Sequence, residues 1–253
     1  MNKNTNTIIF IIILLLQFTL PNNVFAQQKT HKWTYDDDYT GQDEWGNMEG
    51  YETCKEGAKQ SPIKINDTTV KNMPEISLNY KKAEGILKID KQSFIVTVSN
   101  GGSLEYDNNS YKLKTIEIHS PSGHHIKGRF YPVEIHLIHQ DINYKKIAIS
   151  ILANIGKENP ALDILLENVE SISDTPKKIS IDVESLLSGI NKNSYYRYEG
   201  SLPYPPCSEN VTWLIPKTTI TISNEQLGKL VKYTGRNTRL PQPVYIRKIL
   251  ETP

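Results

Sequence analysis

The sequence predicts a single, mainly β domain with small peripheral helices. Two observations carry this. From Ser61 onward, β-branched runs recur between turn residues. No internal repeat or low-complexity linker divides the chain, so one core is the economical arrangement. The composition agrees: 253 residues with 38% hydrophobic and 23% charged side chains is an ordinary globular balance, enough for one full domain or two small ones.

The elements follow in order. Residues 1–26 read as a separate object. "MNKNTNT" carries Lys3 and no acid, "IIFIIILLLQFTL" is an apolar core, and "VFA" places Ala26 before Gln27 at an expected cleavage point. A retained membrane anchor is the alternative, but the apolar run is short against the roughly 20 residues a bilayer needs. The expectation is therefore a signal peptide over 1–26 and a mature domain over 27–253 with no stable membrane span. Export leads to the periplasm or the extracellular space. Residues 27–57 place Trp33, Tyr35, Trp45 and Tyr51 among turn-like residues, which reads as an irregular segment held by aromatic packing. "FIVTVSN", "YKLKTIEIH", "VEIHLIHQ", "KIAISILANI", "NVTWLIP" and "TTITIS" read as strands. "NPALDILLENV" and "DVESLLSGI" read as short helices, and "NEQLGKLVKY" as a helix capped by Ser223 or Asn224. The C-terminal "RNTRLPQPVYIRKILETP" is extended and ends in a strand-like run.

A formal net charge of +1 and the absence of a long basic cluster exclude a nucleic-acid surface. Two cysteines remain after export, Cys54 and Cys207, allowing one internal bridge or two buried thiols.

"TIEIHSPSGHHIKGRFYPVEIHLIHQ", from Thr115 to Gln140, holds five of the six histidines. Alternate strand residues share a face, so Glu117 points with His119, and Glu134 with His136 and Ile138. If the two strands pair, Glu117, His119 and His136 converge. Two imidazoles and a carboxylate form a legitimate zinc set with a fourth position open. Glu134 is placed to accept the proton of a ligand imidazole. A wet polar patch on a sheet is the ordinary alternative, because His-x-His spacing alone is weak.

Over nearly the whole mature chain, from "HKWTY" to "NTRLPQPV", the sequence resembles the α-class carbonic anhydrases, in their exported bacterial form. "DEWG", "GAKQSPI", "SNGGSLE", "IEIHSPSGHHI", "YPVEIHLIH", "YYRYEGSLPYPPCSENVTW" and "ISNEQ" occur in family order. The resemblance implies a central, twisted, mostly antiparallel sheet of about ten strands, and zinc held by three histidines in a conical cleft. The second and third ligand positions fall on His119 and His136, and the first falls on Glu117. Glu134 is the carboxylate behind the third ligand. The resemblance also pairs Cys54 with Cys207. It places Leu202 and Trp213 at the apolar wall where carbon dioxide would rest, with Ile138 beside them, and Tyr35 among the cleft residues. His124 takes a structural hydrogen-bonding role, as do Gln60, Asn237 and Arg239 around the cleft; His139 packs on the opposite face.

The departures from the family cluster at its chemistry. The threonine that orients the attacking oxygen is Pro203, and its neighbour is Tyr204. The glutamate that accepts the threonine hydroxyl is Gly123, and the proton-ferrying histidine is Gly102. Proline has neither a hydroxyl nor a backbone N–H, and a glycine transfers no proton. The expectation is an exported carbonic-anhydrase-related protein with absent or very weak CO2 hydration and zinc that is weakly held or absent. Its role would be binding, of a partner protein, a glycan or a small anion in the old cleft. The alternative is a divergent zinc metalloenzyme built on Glu117, His119 and His136, a slow hydratase acting on CO2 and bicarbonate or a metal-dependent hydrolase.

Overall fold

The computed structural model describes residues 32–90, 92–169 and 176–253; the expected signal peptide lies outside them. No helix among the described residues is long and apolar enough to cross a membrane. The strands are β1 (Lys64–Ile65), β2 (Thr69–Val70), β3 (Ser77–Tyr80), β4 (Lys82–Asp90), β5 (Ser93–Ser99), β6 (Gly102–Tyr106), β7 (Asn109–His119), β8 (His125–Ile126), β9 (Val133–Gln140), β10 (Lys146–Ile155), β11 (Lys177–Asp182), β12 (Tyr195–Ser201), β13 (Glu209–Pro216), β14 (Ile220–Ile222) and β15 (Leu250–Glu251). Among the described residues three α-helices accompany them: α1 (Thr53–Glu56), α2 (Pro160–Val169) and α3 (Asn224–Thr234).

One large twisted sheet dominates. Its main path has ten strands, in the order β11-β4-β5-β7-β9-β10-β13-β12-β15-β2. Strand β14 lies beside β10, and β6 joins β7 to β3. Most neighbours are antiparallel; β10 runs parallel to β13 and β14, and β15 parallel to β2. The expected ten-strand, mostly antiparallel sheet is therefore the observed main path, with three further strands attached. The small parallel pair β1 and β8 stands apart from it.

The period-2 alternation of the central strands divides the molecule. Ile116 and Ile118 of β7, Ile135 and Leu137 of β9, and Ile147, Ile149 and Ile151 of β10 point into the larger core. There they meet Leu162, Leu165 and Leu166 of α2. The residues between them face the other way, into a smaller core of Ile138, Ala148, Leu152, Tyr198, Leu202 and Trp213. The candidate metal ligands belong to this second face.

Helix starts follow local chemistry. Asn159 accepts hydrogen bonds from the Ala161 and Leu162 amides at 3.0 and 3.3 Å, and Pro160 occupies the first turn, where a missing N–H costs nothing. Ser223, rather than Asn224, caps α3, in a reciprocal capping box with Gln226. The run "DVESLLSGI" falls short of a helix: only Ser185–Leu187 makes a 3₁₀ turn, and Gly189 follows with φ +84°. The chain there turns away before a second helical turn can form.

The irregular N-terminal segment is held as its aromatics predict. Trp33, Tyr35 and Trp45 meet edge-on with ring centroids 5.3–5.5 Å apart. They pack around Cys54 and Cys207, which form the disulfide that the family resemblance implied. The bridge closes a sequence separation of 153 residues. In the chain-entropy picture it stabilises the fold by about 5 kcal/mol.

His139 lies on the larger-core face, away from His136, as strand alternation requires. It is stacked on Tyr80, whose hydroxyl is 2.6 Å from Nε2. Burial lowers its pKa from 6.5 to about 4. His139 is thus neutral in the fold, while the unfolded chain takes up a proton below about pH 6.5. Its stabilising contribution is whole above pH 6.5 and is lost as the pH falls toward 4, by on the order of 3 kcal/mol in total. Replacing the pair with Tyr80→Phe and His139→Leu is expected to flatten the fall in stability between pH 7 and pH 5, measured by chemical denaturation. An undiminished fall in the double variant would place the acid-sensitive group elsewhere.

Candidate metal centre

The site is built by the register of β7 on β9. Glu117 lies opposite His136, and His119 opposite Glu134. All four side chains are buried. The end of β7 is locked by Asn237, whose side chain accepts from the Ser120 amide and donates to the Ile118 carbonyl, both at 2.7 Å. Its backbone carbonyl lies 2.8 Å from His119 Nδ1.

That contact fixes a tautomer. A carbonyl only accepts, so His119 Nδ1 carries the hydrogen and Nε2 is left with its lone pair. His136 is oriented in the opposite sense. Its Nε2 lies 2.7 Å from Glu134 Oε1, so Nδ1 is the free acceptor. Glu117 Oε1 accepts hydrogen bonds from the Thr115 hydroxyl at 2.9 Å and the Tyr204 hydroxyl at 2.8 Å. Its Oε2 is unpartnered.

Among the described residues, the buried side-chain polar atoms without a partner are Glu117 Oε2, His119 Nε2 and His136 Nδ1. The same three residues offer ligand atoms within 4.8 Å of one another. Two imidazole lone pairs and a carboxylate oxygen face one another in a buried space. Orphaned acceptors of this kind are costly unless filled. Their number and type fit a zinc-class ion.

The electrostatics agree. Burial raises the pKa of Glu117, but His119, His136 and the Tyr204 hydroxyl outweigh it and hold the carboxyl below its usual range. Burial lowers His119, and Glu117 reverses that and draws a proton toward it. His119 Nε2 is 4.0 Å from Glu117 Oε2, too long for a hydrogen bond and close enough for ionic attraction. An ion between them would replace that proton. Burial holds His136 below its ordinary value despite Glu134.

Behind the three donors, Glu134 is the hub. It receives the Gly123 amide at 2.8 Å, the His124 amide at 2.9 Å, His124 Nδ1 at 2.5 Å, His136 Nε2 at 2.7 Å and the Ser150 hydroxyl at 2.6 Å. Burial pushes its pKa up, yet His124 and His136 hold it well below the usual range. His124 continues the chain through Nε2 to Tyr198, which donates to Ser61 Oγ at 2.8 Å. The expected structural role of His124 is therefore the observed one. Although His124, Glu134 and His136 also lie close enough to hold an ion, hydrogen bonds already join them.

The residues expected at the cleft wall lie together in one core. Ile138, Leu202 and Trp213 share the smaller core, with Tyr204 packed against it. Trp213 touches His136 and His124, with centroids 4.8 and 4.9 Å away, and its indole donates to the Ser201 carbonyl at 3.0 Å. Tyr35 is buried, and burial and the charge of Glu117 both raise its pKa. Gln60 and Arg239 form the expected network: the guanidinium donates to Gln60 Oε1 at 2.8 Å and to the Cys54 carbonyl at 2.7 Å.

The two altered glycines both sit in close surroundings. Gly102 opens β6 opposite Tyr80 with φ +106°, and a Cβ there would lie 2.1 Å from the Asn79 carbonyl oxygen. A histidine does not fit without moving the strand. A Cβ on Gly123 would meet Pro62 Cγ at 2.7 Å and Thr238 Cγ2 at 3.2 Å.

Sequence reasoning missed four contacts. Thr115 and Tyr204 both hold Glu117, Trp33 stacks on Tyr204 at 6.3 Å, and Ser150 lies under Glu134. Thr115 was legible as the residue two before Glu117 on the same strand face; Tyr204 and Trp33 carried no such signal.

A family model described as eukaryotic-type carbonic anhydrase matches residues 40–252. A carbonic anhydrase of Neisseria gonorrhoeae is 34% identical over 247 residues, covering 94% of this chain and 95% of that one. Among solved structures, dioscorin complexed with ascorbate has a TM-score of 0.81 at 30% identity, covering 87% of this chain and 98% of that one. The α-carbonic anhydrase of Photobacterium profundum has a TM-score of 0.79 at 31% identity, covering 87% and 100%. With the sheet, the disulfide and the converging strands β7 and β9 in place, these matches establish that the chain belongs to the α-class, eukaryotic-type carbonic anhydrase family.

Proposed function

We propose that the protein is an exported metal-binding member of this family with absent or very weak CO2 hydration, acting by binding a small anion in the cleft. Glu117, His119 and His136 would hold the ion. Zinc held there would supply a positive charge and a Lewis acid.

The observation that carries the reading is the occupancy of the loop above the donors. Position 203 is a proline with no hydroxyl and no N–H, and the neighbouring Tyr204 is bonded at 2.8 Å to Glu117. Pro203 has no hydroxyl to accept a hydrogen bond from the attacking oxygen and so aim it. A divalent ion with one carboxylate ligand keeps a positive charge within its own donor set, where an anion can bind, while the buried Glu134 carboxylate behind His136 offsets part of it. The apolar wall of Ile138, Leu202 and Trp213 and the phenols of Tyr35 and Tyr204 offer contacts for a small, flat ligand. Dioscorin, of similar fold, is seen with ascorbate, which makes ascorbate a rational probe here.

Export is supported by the N-terminal pattern and by the disulfide, which suits an oxidising compartment. Zinc-loaded protein titrated calorimetrically with ascorbate and with bicarbonate is expected to bind one of them at one equivalent, and His136→Ala to abolish it. No heat with either, or binding that survives His136→Ala, counts against a ligand site at the metal.

A further inference from the structure

The proposed metal site contains two departures from the family pattern, Glu117 and Tyr204, and they are in direct contact. We propose that Tyr204 is a positioning residue for the metal site, holding Glu117 as a one-oxygen ligand. This rests on the metal-binding reading above.

A carboxylate has two equivalent oxygens and can offer one or both to an ion. At Glu117 that symmetry is broken. Oε1 accepts two hydroxyl hydrogens, from Thr115 at 2.9 Å and Tyr204 at 2.8 Å. Oε2 has no partner, and it is the oxygen nearer His119 Nε2, at 4.0 Å. The two hydroxyls occupy Oε1 and leave a single oxygen beside the imidazole lone pairs. Zinc prefers a small tetrahedral set, whereas ions such as manganese(II) and calcium take more oxygens. Capping Oε1 keeps the donor count at three.

Tyr204 is itself held. Its ring lies parallel to Trp33, 6.3 Å away with 5° between planes. Its loop is pinned by the Cys207 disulfide and by the Cys207 amide donating to the Tyr204 carbonyl at 2.8 Å. The phenol therefore reaches Glu117 from a fixed base. A histidine at position 117 would have no second carboxylate oxygen to cap. The two departures thus work as one device, and a tyrosine at 204 has a task only when a carboxylate is at 117.

The test is a double-mutant cycle in zinc affinity, read by competition with a chromophoric chelator on the purified mature protein. Tyr204→Phe keeps the ring and its packing on Trp33 and removes only the hydroxyl. It is expected to weaken zinc about 10- to 100-fold, the usual cost of losing a partner that orients a ligand. It is also expected to narrow the preference for zinc over manganese(II), because Oε1 becomes free. In the Glu117→His background, Tyr204→Phe is expected to leave zinc affinity unchanged. A merely structural tyrosine would act equally in both backgrounds and shift both ions alike, and either result overturns the proposal. Zinc binding that depends on His136 with no coupling between positions 117 and 204 sinks this inference alone. Absence of stoichiometric zinc, or binding that survives His136→Ala, overturns the metal site and this inference with it.

Discussion

Replacing Glu117→His, Pro203→Thr and Tyr204→Thr together is expected to raise zinc-dependent CO2 hydration by about a hundredfold over the natural protein. Each change restores a separate element. The histidine removes a negative charge from the ion, which makes a bound water more acidic. The threonine at 203 supplies the hydroxyl that proline lacks, and aiming one group in the reaction is worth several kcal/mol. A tenfold change in rate corresponds to about 1.4 kcal/mol, so one regained hydrogen bond of this type yields two or more powers of ten. Removing Tyr204 clears the phenol from Glu117's side of the cleft. Adding Gly123→Glu is expected to gain less than chemistry alone suggests. Its Cβ would lie 2.7 Å from Pro62 Cγ, so the new side chain must first displace a packed neighbour. Overpacking of this kind costs about 1–3 kcal/mol, visible as a lowered denaturation midpoint. Stopped-flow rates of the triple and quadruple variants, with zinc content measured in each, check both statements. A triple variant that is folded, zinc-loaded and no faster than the natural protein would locate the defect elsewhere.

Glu134→Ala is expected to destabilise the fold by 4 kcal/mol or more, on the order of the largest single-residue effects. The carboxylate is fully buried and accepts from two amides, two imidazoles and a hydroxyl. Its removal leaves all five donors unsatisfied and unties His124 from the Tyr198–Ser61 chain. Each stranded group costs about 1–3 kcal/mol before relaxation. Glu134→Gln keeps the shape and is expected to fall between, because its NH2 group confronts donors where an oxygen accepted them. Urea denaturation of the three proteins orders them. A Glu134→Ala variant as stable as the natural chain would show that the hub is not the organiser of this face.

How much of this was readable beforehand follows from the physics of each part. The long strands were legible because β-branched runs bounded by turn residues leave few alternatives; β7, β9, β10 and β13 match their runs to within a few residues. The convergence of Glu117, His119 and His136 was legible because strand alternation is rigid, and pairing β7 with β9 was the one assumption needed. Strands β1, β2 and β8 were not legible, since each has two residues and forms only because tertiary neighbours offer hydrogen bonds; the equally short β15 falls in the C-terminal strand-like run. The Tyr204–Glu117 contact joins residues 87 apart through a loop, and local sequence carries no record of such a meeting. It also changes the meaning of the substitutions. Read singly, Glu117 and Tyr204 look like erosion of an active site; in space they complete each other. Gly102 and Gly123 are the contrary case, because the Asn79 and Tyr80 backbone crowds the one and the Pro62 and Thr238 side chains crowd the other.

The central claim is that the donors for a metal are kept while the means to aim an oxygen at carbon dioxide is gone. Stopped-flow CO2 hydration by the mature protein tests it most directly, at saturating zinc with a small imidazole buffer to carry the protons that Gly102 cannot. The account predicts stoichiometric, His136-dependent zinc together with a rate at least about a hundredfold below an efficient family member run alongside. A rate equal to that member's would contradict it.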